Sequence, residues 1–217
     1  MEKIDEVIKN LEKNNIMGYF VKSKEEVIPL LETILKEGDK VTVGGSQTLM
    51  ECGVLDYLKK GKFTYLDRYD ENHTPEDIRN VFREASYCDS YISSTNALTE
   101  EGELLNVDGY CNRVSAIIHG PKSVIIIVGV NKIVKDLNEA VLRVKEVAAP
   151  LNAKRLKKNT YCAEHGRCIS VEDEGRKYVL GAGCDSEDRI CCNYVLSSYQ
   201  QMKERIKVII VGESLGY

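Results

Sequence analysis

Short β-type runs alternate with amphipathic helix patterns over about the first 150 residues, and this alternation limits the fold more than any other feature. Predicted strands include 40–43 and 90–93, and a helix pattern over 23–38 precedes the first of them. Such alternation is typical of a parallel sheet covered by helices. We therefore predict a single α/β domain over residues 1–217, with a mainly parallel, twisted sheet flanked by helices.

The later part of the chain predicts a departure from a purely parallel sheet. Residues 113–119 and 122–128 are two apolar runs separated by Gly120 and Pro121, which predicts two consecutive strands and some antiparallel content. An amphipathic helix is predicted over 136–148, and 205–211 is predicted as a closing strand.

Composition limits the classes of function. The chain has 217 residues, a net charge of −4 and no Trp, which argues against a nucleic-acid groove. It has no apolar stretch long enough to cross a bilayer, and residues 1–15 lack the apolar core of a signal peptide. We therefore expect a cytoplasmic protein that binds neither nucleic acid nor membrane.

Two polar loops follow predicted strands. The run 93–109 concentrates hydroxyl, amide and carboxylate side chains, and 44–48 combines two glycines with Ser46 and Thr48. Glycines let a backbone approach a ligand, and N–H groups at a helix start bind anions. The alternative for 44–48 is a tight turn in which Ser46 caps the next helix. Loops at the carboxyl ends of neighbouring strands would together form a ligand crevice.

These loops supply the candidate site residues. Glu101 is the predicted general base, with solvated turn carboxylates around Gly102 as the alternative. Arg113 and Lys132 are predicted to neutralise a bound carboxylate or phosphate, with ordinary surface cations as the alternative. The predicted substrate-binding residues are Gly44, Gly45, Ser46, Thr48, Ser94, Thr95, Asn96, Asn106, Asp108, Arg113, Asn131 and Lys132.

A cysteine-rich segment, 160–193, contains five of the eight cysteines. In a reducing compartment, clustered cysteines suggest metal or redox chemistry before disulfides. The predicted metal ligands, for zinc or an iron–sulfur cluster, are Cys162, Cys168, Cys184 and Cys191, and His165 could replace one of them. Free thiols packed as small apolar side chains are the alternative.

Several short motifs together resemble the LUD domain, the lactate-utilisation protein family. They are GGSQTL (44–49), STNALTEEG (94–102), NVDG (106–109), NRV (112–114), GP (120–121), GVNK (129–132), APLNAKR (149–155) and VGE (211–213). The resemblance extends over roughly the whole chain. The cysteine segment departs from the family pattern, because 169–183 separates two cysteines that members with this tail tend to keep close together.

The resemblance implies a fold similar to the sugar-phosphate isomerase and CoA-transferase-like group, and a role in lactate oxidation together with iron–sulfur partner subunits. Our first hypothesis is a protein that binds a small anionic metabolite: a hydroxy acid, a phosphorylated compound or a CoA-type carrier. The alternatives are a non-catalytic metal- or cluster-binding subunit that docks on iron–sulfur redox partners, and a CoA transferase with a glutamate nucleophile. Whether the protein is an enzyme, and whether it forms a homodimer, stay open.

Overall fold

The computed structural model describes residues 2–217, in which ten strands form two sheets. The strands are β1 (Met17–Val21), β2 (Lys40–Val43), β3 (Thr64–Leu66), β4 (Ser90–Ser93), β5 (Ala97–Thr99), β6 (Leu104–Asp108), β7 (Ser123–Gly129), β8 (Ile133–Val134), β9 (Asn193–Ser197) and β10 (Ile206–Val211).

Nine α-helices accompany these strands in the same part of the chain. They are α1 (Glu2–Lys13), α2 (Val27–Ile34), α3 (Gln47–Glu51), α4 (Val54–Lys59), α5 (Pro75–Glu84), α6 (Asn112–His119), α7 (Leu137–Arg143), α8 (Ala149–Arg155) and α9 (Tyr161–His165). A π-helical turn, Val144–Ala148, joins α7 to α8, so the helix predicted over 136–148 is confirmed in place and continues further.

The main sheet has six parallel strands in the order β1-β10-β7-β4-β2-β3. β7 lies inside it, and its residues 124–128 are fully buried. Ile125 and Ile127 pack in one apolar core and Val124 and Ile126 in another, because successive side chains point to opposite faces of the sheet. Helices cover both faces, which explains the unbroken apolar run of β7. The predicted α/β fold with a mainly parallel sheet is confirmed.

The polar run 93–109 contains two strands in place of one open connection. β5 and β6 pair antiparallel, and with β8 and β9 they form a second, mixed sheet in the order β8-β5-β6-β9. Leu98, Leu104 and Leu105 are fully buried and give this sheet its apolar contacts. The antiparallel content of the protein therefore lies here.

The prediction of a strand over 113–119 is wrong, since these residues form α6. Val114 and Ile117 are three residues apart and both buried in the core, whereas Ile118 is 53% exposed. The Oδ2 atom of Asp108 accepts hydrogen bonds from the backbone N–H groups of Arg113 at 3.0 Å and Val114 at 2.9 Å. A carboxylate at a helix start stabilises the helix, and this contact outweighs the strand preference of the β-branched residues.

The order of strands in the main sheet creates a natural ligand position. From β2 the chain continues to β3 on one side, whereas from β4 it continues through the second sheet to β7 on the other side. β2 and β4 are neighbours, so the chain diverges between their carboxyl ends, which is where open α/β sheets form a crevice.

Among the described residues, no helix is both long and apolar enough to cross a membrane.

Candidate functional site

A cleft of about 650 Å³ opens at the carboxyl ends of the parallel strands. Its walls come from the strand ends of the main sheet, the second sheet, the end of α8 and the segment 187–192. Eight of the predicted substrate-binding residues line it, namely Gly45, Ser46, Ser94, Thr95, Asn96, Asp108, Arg113 and Lys132. The two loops predicted to form one crevice therefore do meet.

The other four predicted residues lie behind the wall of this cleft. Gly44 is buried, and a Cβ atom there would come within 2.6 Å of the Ser93 Oγ atom, so glycine permits the packing of two strand ends. The Oδ1 atom of Asn131 accepts a 3.0 Å hydrogen bond from the Leu215 N–H group and so holds the C-terminal segment. Thr48 and Asn106, both buried, contact the two predicted cations.

Arg113 is the organising residue of the site. Its Nε and Nη2 atoms lie 2.9 and 2.7 Å from Oδ1 of Asp108, and Nη2 also donates to the amide oxygen of Asn96 at 2.7 Å. Its Nη1 atom donates to the amide oxygen of Asn106 at 2.6 Å and to the Ser94 carbonyl at 2.9 Å. Because the guanidinium is already paired with a carboxylate, the prediction that Arg113 neutralises a ligand is not supported by its contacts. It fixes the polar side chains around the cleft.

Lys132 lies in a different environment. It is 2% exposed, and its Nζ atom donates to the Oγ1 atom of Thr48 at 2.9 Å and to the Oγ atom of Ser94 at 3.1 Å. In residues 2–217 it forms no ion pair with a carboxylate. Burial, followed by the charges of Arg143 and Arg113, lowers the pKa of the Lys132 amine to about 7.

Arg143, on α7, was not found from the sequence. Its Nη1 atom donates to the carbonyl of Asn96, and its Nε atom donates to the carbonyl of Asn131 at 3.1 Å. Burial lowers the pKa of Arg143 to about 10. Arg143 thus joins the second sheet to the end of β7. Its place in an amphipathic helix gave no sequence signal of this role.

Arg68 is a second cleft residue that the sequence reasoning missed. Its guanidinium carbon lies 4.6 Å from the ring centre of Phe82 and 5.3 Å from that of Tyr69, at the distance of cation–π contacts. Its Nε atom is buried and has no hydrogen-bond partner in the described chain. A Cβ atom on Gly45 would lie 3.5 Å from its Nη1 atom, so Arg68 stands over the glycine loop. Its position just after β3, at the same sheet edge as the other loops, was the available signal.

The cleft is cationic in a protein of net negative charge. Three acidic side chains line it, those of Asp108, Glu187 and Asp188, and five cationic ones besides Lys132, whose amine has a pKa of about 7. The five cationic residues are Arg68, Arg113, Arg155, Lys158 and Arg189. Clustered charge of one sign on cleft walls concentrates ligands of the opposite sign, so the cleft is suited to an anion.

Glu101 lies outside this cleft. It is exposed in the turn between β5 and β6, and its backbone carbonyl accepts a 2.9 Å hydrogen bond from Nδ2 of Asn14, the residue that follows α1. Gly102 follows with φ +79°, and a Cβ atom there would come within 2.7 Å of the Leu11 backbone nitrogen. The turn is shaped for packing against α1. Glu101 is not among the residues that line the cleft, so the geometry gives the prediction of Glu101 as general base no support.

The predicted metal ligands Cys162, Cys168, Cys184 and Cys191 line one second, much smaller cavity. The Cys191 Sγ atom accepts a 3.2 Å hydrogen bond from Nε of Arg189. All eight thiols are free, and no three His, Cys, Asp or Glu side chains in residues 2–217 stand in an arrangement that holds a metal ion. The thiols thus share a cavity without forming a ready-made metal site.

His165, the predicted replacement ligand, is engaged elsewhere. Its ring stacks on that of Tyr161 with centroids 4.0 Å apart, and its Nδ1 atom contacts the Tyr161 carbonyl at 3.0 Å. It does not line the cavity of the four thiols.

Comparison with known proteins agrees with this architecture. A search among curated proteins found no matching sequence. A DUF162 family protein from Deinococcus radiodurans has a similar structure, with a TM-score of 0.51 at 14% identity, over 97% of this chain and 96% of that chain. A weaker likeness to eIF2B beta from Chaetomium thermophilum, with a TM-score of 0.38 at 18% identity, covers 52% of this chain and 43% of that chain. The LUD domain family model matches residues 4–211, so the chain belongs to the LUD domain family.

Proposed function

We propose that the cleft binds a small carboxylate of the hydroxy- or oxo-acid class and that the protein acts in lactate utilisation. Membership of the LUD domain family supports a role related to lactate. We expect the ligand to be an anion because cationic side chains are in excess on the cleft wall. The buried Nε atom of Arg68, beside Gly45, also has no hydrogen-bond partner within residues 2–217.

The polar groups of the cleft suit a carboxylate with a neighbouring oxygen. The amide oxygen of Asn96 accepts from Nη2 of Arg113 and from the backbone N–H of Val107 at 2.9 Å. This fixes the orientation of the amide and leaves its NH₂ group available to donate a hydrogen bond. Ser46 also lines the cleft, and its side chain makes no capping hydrogen bond to α3. Together with the Arg68 guanidinium, these donors can bind a carboxylate and a second oxygen atom.

Isothermal titration calorimetry with lactate, pyruvate, glycerol phosphate and CoA tests this proposal. We expect one saturable site for a small carboxylate, and binding weakened about tenfold or more in Arg68→Met, because a charge-assisted hydrogen bond contributes about 1.5–3 kcal/mol. The matched control is Arg83→Met, since Arg83 is an exposed arginine paired with Glu76 at 3.0 Å, outside the cleft. Absence of binding by every ligand, or equal binding by Arg68→Met and the wild type, would contradict the proposal.

A second candidate function is metal binding by a subunit that docks on iron–sulfur redox partners. The observation that favours it is the convergence of four thiols on one cavity, in a segment where 166–192 contains only one short 3₁₀ turn as regular structure. A long irregular segment commonly needs a functional or bound group to order it. Metal analysis and a visible spectrum after anaerobic purification test this candidate. Colourless protein without stoichiometric zinc or iron would exclude it.

The third hypothesis, a CoA transferase, is not proposed. It depended on a glutamate nucleophile in the loop 93–109, and the structure places Glu101 outside the cleft while Glu100 pairs with Lys3 at 2.6 Å.

A further inference from the structure

We infer that the ε-amine of Lys132 is a nucleophile that condenses with the carbonyl group of a small 2-oxo acid bound in the cleft. The inference rests on the proposed function, because the cationic wall would hold the carboxylate of such a ligand. It adds a reactive group and a substrate class to that site.

The first support is the position of the amine. Lys132 lines the cleft, yet its side chain is almost completely withdrawn from solvent. Its hydrogen-bond acceptors are the neutral hydroxyl groups of Thr48 and Ser94. The Oγ1 atom of Thr48 donates to the carbonyl of Leu215 at 3.3 Å, which leaves its lone pairs for the amine. A lysine held by neutral acceptors keeps its charge less readily than one paired with a carboxylate.

The second support is the charge around the amine. Arg143 on α7 and Arg113 on α6 oppose a positive charge on Lys132, whereas Glu51 at the end of α3 and the adjacent Cys52 favour it. Burial is the largest influence and also opposes the charge, so the pKa of the amine falls to about 7. Desolvation next to another cation is a known way of making a lysine nucleophilic at neutral pH.

The chemistry of the step is a reversible condensation. The lone pair of the neutral Lys132 amine attacks the carbonyl carbon, and the carbonyl oxygen leaves as water after two protons move to it from the nitrogen. The product is an imine, which is protonated on nitrogen when it takes up a further proton. No oxidant or reductant takes part. The donors of Arg68 and Asn96 are available to hold the carboxylate while the carbonyl faces the amine.

Reductive trapping tests the inference. The wild-type protein is incubated at pH 7.5 with pyruvate or glyoxylate, reduced with borohydride, digested and mapped by mass spectrometry. Lys145 is the matched internal control, since it is 1% exposed and burial lowers its pKa, but its Nζ atom donates to the carbonyls of Arg176 and Val179 and lies outside the cleft. We expect one reduced adduct at Lys132, none at Lys145, and no adduct at this site in Lys132→Arg.

A second measurement needs no variant. Competitive acetylation across a pH series gives the titration of each lysine in the folded protein. We expect half-maximal reactivity of Lys132 near pH 7, where a lysine of ordinary pKa is neutral in about one part in three thousand. Titration of Lys132 near pH 10 would overturn the inference.

The outcomes separate this inference from the proposed function. Binding of pyruvate by calorimetry without an adduct at Lys132 overturns the inference alone. Absence of binding overturns the proposed function. If borohydride reduction also gives adducts on many lysines, and so does not depend on the cleft, the inference is overturned too. An adduct confined to Lys132, blocked by excess lactate, supports both.

Discussion

Replacing Arg113 with Met removes the residue that fixes the polar side chains around the cleft. The contacts of Arg113 determine the expected loss in free energy of unfolding. The Arg113 side chain is 11% exposed and that of its partner Asp108 is 8% exposed. Removing one partner of a buried ion pair costs about 3–5 kcal/mol, because the other charge stays buried and unpaired. Asp108 keeps hydrogen bonds from the backbone of Arg113 and Val114, so we expect about 3 kcal/mol. That is a large share of the total stability, which is about 5–15 kcal/mol for a typical protein.

The assay is urea unfolding followed by circular dichroism, with the free energy of unfolding taken by linear extrapolation. Arg83→Met is the control, since this arginine is 67% exposed in its ion pair with Glu76, and exposed pairs contribute about 0–1 kcal/mol. The double variant Asp108→Asn with Arg113→Met should lose less stability than the two single losses added together, because the buried charge is gone. A loss in Arg113→Met no larger than that in Arg83→Met would refute the reasoning.

Three further predictions concern single residues. Gly102→Ala should lose more free energy of unfolding than Gly38→Ala. Both glycines have positive φ, but only a Cβ atom at Gly102 would contact backbone, 2.7 Å from the Leu11 nitrogen. Equal losses of the two variants in urea unfolding would contradict this prediction. Burial lowers the pKa of Lys132 to about 7 in the folded protein, whereas its ordinary pKa in the unfolded chain is 10.5. Between these two pH values the unfolded state binds more protons than the folded state, so the free energy of unfolding rises with pH. The wild type should therefore gain up to about 1.4 kcal/mol per pH unit relative to Lys132→Met from pH 7 to 10, whereas parallel pH curves would show that Lys132 does not titrate in this window. Glu101→Gln should leave the affinity for any cleft ligand unchanged in calorimetry, and a tenfold loss would return this residue to the site.

The sequence was sufficient to predict the main sheet and the meeting of two loops. β-branched runs followed by glycine and hydroxyl residues mark strand ends, and parallel strands bring those ends to one edge. The alternation of Asn106 and Asp108 around Val107 also predicted that both side chains lie on one face, and both contact Arg113. These inferences succeed because they depend on local periodicity and on a general rule of α/β sheets.

The errors came from long-range contacts. The run 93–109 contains a strand, β6, whose partner β9 follows it by about 90 residues, so its polar composition alone could not distinguish a loop from a half-buried strand. Residues 113–119 have strand propensity, but Asp108 holds the first turn of α6 and the buried face selects a helix. Arg68 is a cation among many, and only its aromatic neighbours and its unpaired Nε atom identify it.

A crystal structure of the protein soaked with glyoxylate measures directly whether the cleft binds a small carboxylate. The account predicts the carboxylate within hydrogen-bond distance of the Arg68 guanidinium, with the aldehyde carbon next to Nζ of Lys132. Density for the ligand only at other surfaces, with the cleft holding solvent at saturating concentration, would contradict it.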